Sequence, residues 1–169
     1  MSSLARFNLS KDAEDAINKQ IQAELQAHYT YLSMSTYFNR DSVSLPGFSK
    51  YFKAQSQGEY EHAQALIAYL SKRGGTVQLE TINAPTVEWP SALAALEASL
   101  ELEKSVYGSL LAISKIASDN SDPELDDFIS SEFLHEQVAD IKIIADMITQ
   151  LYRAGDSGLG LYLYDRTLL

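Results

Sequence analysis

Between two long stretches of helical periodicity the chain carries GGTVQLETINAPTVEW, residues 74–89, and this segment decides the topology. It is long and irregular, opens on a glycine pair and contains Pro85. Fully extended it covers roughly 50 Å. A helix of about 28 residues is roughly 42 Å long, so the segment can travel its full length. The helices on its two sides can therefore run parallel. The other breaks are short and force antiparallel hairpins.

Punctuation marks the four helices. Ser10 reads as an N-cap, with Asp12 and Glu14 facing the positive end of the dipole, and the first helix runs to about Phe38. The second opens near Pro46 and closes at Lys72-Arg73-Gly74, cations followed by a helix-ending glycine. The third opens at Pro90; Asp122-Pro123-Glu124 caps the fourth, which ends at Arg153 to Gly155. The pattern predicts one all-α domain over residues 1–169, a four-helix bundle with one long crossover. The tail GLGLYLYDRTLL alternates like a strand but has no partner strand, so it predicts a short docking helix.

The buried seams, followed at steps of three and four, turn polar at mid-length. The first helix gives Ile17, Ile21, Glu24, His28, Tyr31, Ser35 and Phe38. The second gives Phe48, Phe52, Gln55, Glu59, His62, Leu66 and Tyr69. The third gives Leu93, Leu96, Leu100, Glu103, Tyr107 and Leu110; the fourth gives Phe133, Gln137, Asp140, Ile144, Met147 and Leu151. In a bundle of equal helices the middles share one height. Glu24, Glu59, His62, Glu103, Gln137 and Asp140 should therefore converge. Taken singly these residues say little, since a Glu-x-x-His pair is common on exposed helices and a lone seam Glu often reaches out to water. Together, four buried carboxylates are costly without a compensating cation, and no Lys or Arg lies on any seam. A dinuclear metal site is the reading that survives.

Composition narrows the metal and the partners. With no cysteine there is no disulfide, thiolate zinc site or iron–sulfur cluster. Oxygen-rich ligands with one imidazole suit iron or manganese better than closed structural zinc. The net charge of -10 argues against nucleic acid and anionic membranes. The start MSSLARFNLS lacks the apolar run of a signal peptide and no stretch could span a bilayer, so a cytoplasmic location is the default expectation.

The stretches AINKQIQAELQAHYTYLSMSTYFNRD, EYEHAQALIAYLSKRGG, LELEKSVYGSLL and DDFISSEFLHEQV are long, ordered along the chain and specific. Through them the chain resembles ferritins of the eukaryotic heavy-chain type from about Ser10 to Leu168. Di-iron carboxylate bundles share this topology. The resemblance implies a homo-oligomeric cage of 24 subunits that oxidises ferrous iron with dioxygen and stores a ferric mineral, with the tail as a fifth helix. It implies two irons per subunit, the first held by Glu24, Glu59 and His62. Glu59 would bridge to the second, completed by Glu103 with Gln137 close by, and Tyr31 would be a local electron donor. Asp140 falls where many relatives carry a small residue, and Glu136 would lie on the iron path. Helix four offers Gln137-x-x-Asp140 in place of a second Glu-x-x-His.

The chain departs from that pattern in iron traffic. Gly58 and Gln64 stand where acids are usual. At the three-fold channel Asp127 matches, but Ser130 replaces a glutamate and Ser114 a histidine, leaving Asp126 or Glu132 to restore negative charge. Two rivals follow: a passive cage subunit that only nucleates mineral, and a DNA-protecting mini-ferritin. The near-complete ligand set opposes the first. The intrahelical ligands and acidic charge oppose the second.

Overall fold

Local capping chemistry sets the helix ends in the computed structural model, which describes residues 3–169. Helix α1 (Lys11–Phe38) starts where the Ser10 hydroxyl accepts from the Ala13 amide at 3.1 Å. Helix α2 (Pro46–Lys72) has proline in its first turn and no side-chain cap from its own N-cap residue, Leu45. Helix α3 (Ala92–Asp119) begins after Ser91 rather than at Pro90, because the extended Ser91 is the residue whose hydroxyl accepts from Ala94 N, at 3.1 Å. Asp122 caps α4 (Pro123–Ile129) by accepting from Leu125 N at 3.2 Å.

The fourth long helix is interrupted. A π turn at Ser130–Leu134 separates α4 from α5 (His135–Ala154), and Gly155, at φ 94°, ends α5. Its buried positions explain the turn. Leu125, Ile129, Phe133 and Gln137 follow one another at four-residue spacing, and all are buried. In an α-helix each such step overshoots one turn by about 40°, so three steps would drift roughly 120° off the core face. The wider winding of the π turn absorbs that drift and keeps Gln137 pointing inward.

Side-chain contacts give the topology directly. Ser35 meets Ser49 and His28 meets Ser56 across α1 and α2. Tyr31 meets Ser99 and Gln20 meets Ser109 across α1 and α3. Gln137 meets Glu103 across α3 and α5, and Tyr69 stacks on Phe128 across α2 and α4. With Ser114 meeting Asp126 and His62 meeting Glu136 as the second contacts to the fourth helix, the numbering runs in opposite directions in every pair, so neighbours are antiparallel and α2 is parallel to α3. This is the all-α four-helix bundle with one long crossover.

The crossover lies along α1, whose outer side chains satisfy its backbone. Asn18, Gln22 and Gln26 donate to the carbonyls of Thr76, Thr81 and Asn83, and the Arg40 guanidinium reaches Val87 O. The tail forms α6 (Gly158–Thr167) and packs on α2 and α5. Its buried Asp165 supplies the cap that Leu45 lacks, accepting from Phe48 N at 2.9 Å. That approach requires Gly47, because a Cβ there would sit 1.9 Å from Asp165 O.

Two apolar clusters fill the core. One includes Ile17, Ile21, Leu66, Leu110, Ile129 and Phe133; the other includes Met34, Phe38, Phe48, Phe52, Leu96 and Leu151. The seams drift slightly from strict three-four stepping. Ala27 is fully buried where His28 was expected, and His28 is half-buried with Nδ1 2.9 Å from the Ser56 hydroxyl. On α3, Ser99 and Val106 are buried while Leu100 and Tyr107 are half-buried.

Candidate metal centre

Glu24 on α1 and Glu59 on α2 are 0% and 5% exposed, and each has one carboxylate oxygen, Oε2, with no hydrogen-bond partner. His62 stands one turn after Glu59, so both fall on the inner face of α2. Its Nδ1 lies 3.5 Å from Glu59 Oε2. One ligand atom from each of Glu24, Glu59 and His62 lies within 4.8 Å of the others. The other imidazole nitrogen, Nε2, is 3.3 Å from Glu136 Oε2, an arrangement that orients the ring with Nδ1 inward.

Glu103 on α3 is buried under different conditions. Both of its carboxylate oxygens are engaged, one by the Tyr31 hydroxyl and the other by the Gln137 amide. That amide also donates to Glu103 O at 3.1 Å. Tyr31 has a single hydroxyl proton and gives it to Glu103, so Ser99 Oγ, 2.9 Å away, donates to the phenol oxygen.

The electrostatics follow from crowding acids in a dry layer. Burial, and next the Glu59 carboxylate, hold Glu24 well above the usual carboxylate range. Burial, and next Glu103, push Glu59 up to about 8. Asp140 on α5 is pushed up to about 6 by burial, then by Glu103 and Glu136. Burial and the facing Glu103 also hold the Tyr31 phenol well above its ordinary value. Unpartnered carboxyl oxygens beside an imidazole nitrogen fit a divalent cation, which would take the place of their protons and supply the missing partner for both.

A cavity of about 150 Å³ adjoins this cluster, lined by Gln55, Gly58, Glu59, His62, Glu136 and Asp140. A Cβ on Gly58 would meet nothing within 4 Å, so packing does not demand glycine there. Glu136 is well exposed at the cavity and Asp140 is half-buried. Asp127 takes no part in these contacts and is exposed on α4. Nearby, the Ser114 hydroxyl donates to Asp126 Oδ1 at 2.5 Å, which occupies one of the acids available there.

The family model for the ferritin-like domain matches residues 14–154. The chain belongs to the ferritin family. It is 48% identical to the Soma ferritin of Lymnaea stagnalis over 168 residues, which covers 99% of this chain and 96% of the relative. It is also 48% identical to the Ferritin of Pacifastacus leniusculus, over 99% of this chain and 93% of that one. The Ferritin-2 heavy chain of Schistosoma mansoni is similar at 48%, over 99% and 98%.

The ferritin family binds iron, and membership implies an oligomeric cage. Among the described residues no helix is long and apolar enough to cross a membrane. Sequence reasoning passed over two polar residues that complete this ferritin's buried layer. Gln20 is 1% exposed and its amide donates to Glu24 Oε1 at 2.7 Å, while Ser99 supports Tyr31. The signal for Gln20 was its place four residues before Glu24, on the same helix face.

Proposed function

We propose that the chain is a ferroxidase and iron-storage subunit. It oxidises ferrous iron with dioxygen and stores the product as ferric mineral inside a hollow cytoplasmic cage of 24 copies. The observation that carries this reading is the pair of buried, unpartnered oxygens on Glu24 and Glu59 beside His62 Nδ1. Glu24, Glu59 and His62 take one ferrous ion as substrate. Glu59 bridges to a second, which Glu103 and Gln137 receive once Glu103 exchanges a hydrogen-bond donor for the cation.

The protein's part is to hold two ferrous ions together out of bulk water, so that each gives one electron to the same dioxygen. Tyr31, hydrogen-bonded to Glu103, is placed as a local electron donor. Glu136 and Asp140 offer hard oxygen ligands to ferric product leaving by the adjoining cavity. Asp127 contributes negative charge to cation access. Ferrous iron, dioxygen and further copies of the chain are the partners; nucleic acid and membrane are not.

The test is anaerobic loading with ferrous iron followed by an oxygen pulse, with absorbance followed in stopped flow. The native cage should show a fast phase that saturates near two irons per subunit. Glu59→Ala should assemble and lose that phase. An unchanged rate in Glu59→Ala would remove the proposed centre, and slow oxidation alone in the native cage would favour a passive storage subunit.

A further inference from the structure

Gln20 sits in the dry layer without belonging to any ligand set. It is 1% exposed, and its two amide ends are committed in different directions. Nε2 donates to Glu24 Oε1 at 2.7 Å. Oε1 accepts from the Ser109 hydroxyl of α3 at 2.5 Å, a proton that Ser109 shares with Val106 O at 2.8 Å. The amide orientation is fixed by chemistry, since turning it over would set its oxygen against a carboxylate.

The consequence falls on Glu24. One of its oxygens is held by an amide anchored to a neighbouring helix, and the other, Oε2, is bare. Glu24 therefore presents one oxygen fully open to a cation and one already engaged by a donor. We infer that Gln20, held in turn by Ser109, is a positioning residue that confines Glu24 to one-oxygen coordination of the first cation. This rests on the proposed centre. It leaves the bridging position to Glu59 and keeps coordination positions on the first cation open for dioxygen, which chelation by Glu24 would fill.

The alternative is that Gln20 merely ties α1 to α3. Divalent cobalt, added to the full apo cage, separates the two because its visible d–d absorption weakens as coordination number rises. In Gln20→Leu, Glu24 is free to chelate. The first cobalt per subunit should give a weaker, shifted band, with affinity reduced about 10-fold or more. Ser109→Ala should shift the band the same way by less, and adding it to Gln20→Leu should change nothing further. A folded Gln20→Leu cage with native spectrum and affinity overturns the inference, as do additive effects of the two substitutions. Should Gln20→Leu fail to assemble, a native spectrum in Ser109→Ala overturns it equally. Glu59→Ala keeps the two failures apart. Cobalt binding that survives there sinks the centre itself, whereas binding lost there but native in Gln20→Leu sinks only the role of Gln20.

Discussion

Glu59→Gln should stabilise the metal-free protein at neutral pH while abolishing fast iron oxidation. Glu59 is buried, one of its oxygens has no partner, and burial with Glu103 raises its pKa from 4.5 to about 8. The folded state therefore holds the proton more tightly than the unfolded chain does. Stability linked to this group is greatest below pH 4.5 and is lost as pH rises from there to about 8. At pH 7 the loss is about 3 kcal/mol, from 2.5 pH units at roughly 1.36 kcal/mol each. At pH 5 it is about 1 kcal/mol. An uncharged amide of the same shape escapes this cost. The melting temperature of the apo variant should thus exceed the native one by roughly 6–12 °C at pH 7, at 2–4 °C per kcal/mol for a chain of this size. The gap should shrink to about a third of that at pH 5. Calorimetry of both cages at the two pH values, with chelator present, measures it. Divalent cation should then raise the native melting temperature and leave the variant's nearly unmoved. A variant melting at or below the native protein at pH 7, or a gap independent of pH, would refute the picture of Glu59 as an uncompensated buried acid.

Two further predictions concern traffic. Asp127→Ala should slow iron arrival and flatten its dependence on ionic strength, because an exposed acid on the proposed entry route would act through a screened field; unchanged uptake would point to another route. At Gly58 open space leaves the helix cost of glycine unexplained by packing, so Gly58→Glu should fit and return a carboxylate to the cavity shared with Glu136 and Asp140. Two oxygen pulses minutes apart should show an unchanged first phase and a faster-recovering second; identical kinetics in both would leave Gly58 as drift.

Most of the architecture was legible because it is written in local chemistry. Ser10, Asp122 and Gly155 end helices by hydrogen bonds or a backbone conformation that their residue types announce. The crossover was legible from length alone, although its tethering to Asn18, Gln22 and Gln26 was not, since exposed amides on a helix look solvated until a strand of backbone lies on them. The helical tail was readable only by elimination, and the role of Asp165 in capping α2 spans 117 residues of separation, beyond any local pattern. Within the candidate centre, stepping along the seams brings Glu24, Glu59 and His62 together because three-four spacing holds well over a few turns. It failed at the π turn. The spacing of Leu125, Ile129, Phe133 and Gln137 carried that signal, but a seam begun at Phe133 never reaches it.

The arrangement of hydrogen bonds separates two acids that sequence treats alike. Glu59 and Glu103 are both mid-helix glutamates on buried seams, yet Glu103 has a donor on each oxygen and Glu59 has a bare one. Removing a buried carboxylate from water costs most when no donor replaces the water. The free energy available to a cation is thus concentrated on the Glu24–Glu59–His62 side, where binding relieves a cost already present in the folded chain. On the Glu103 side each oxygen already has a donor, so a cation that displaces Tyr31 or Gln137 gains only the difference. One of those two donors is the Tyr31 phenol, so in the proposed centre a metal that takes the place of that bond would also free the phenol. In the proposed centre Glu103 would thereby couple occupancy of the second position to the freedom of Tyr31 whenever it is the phenol rather than the Gln137 amide that yields.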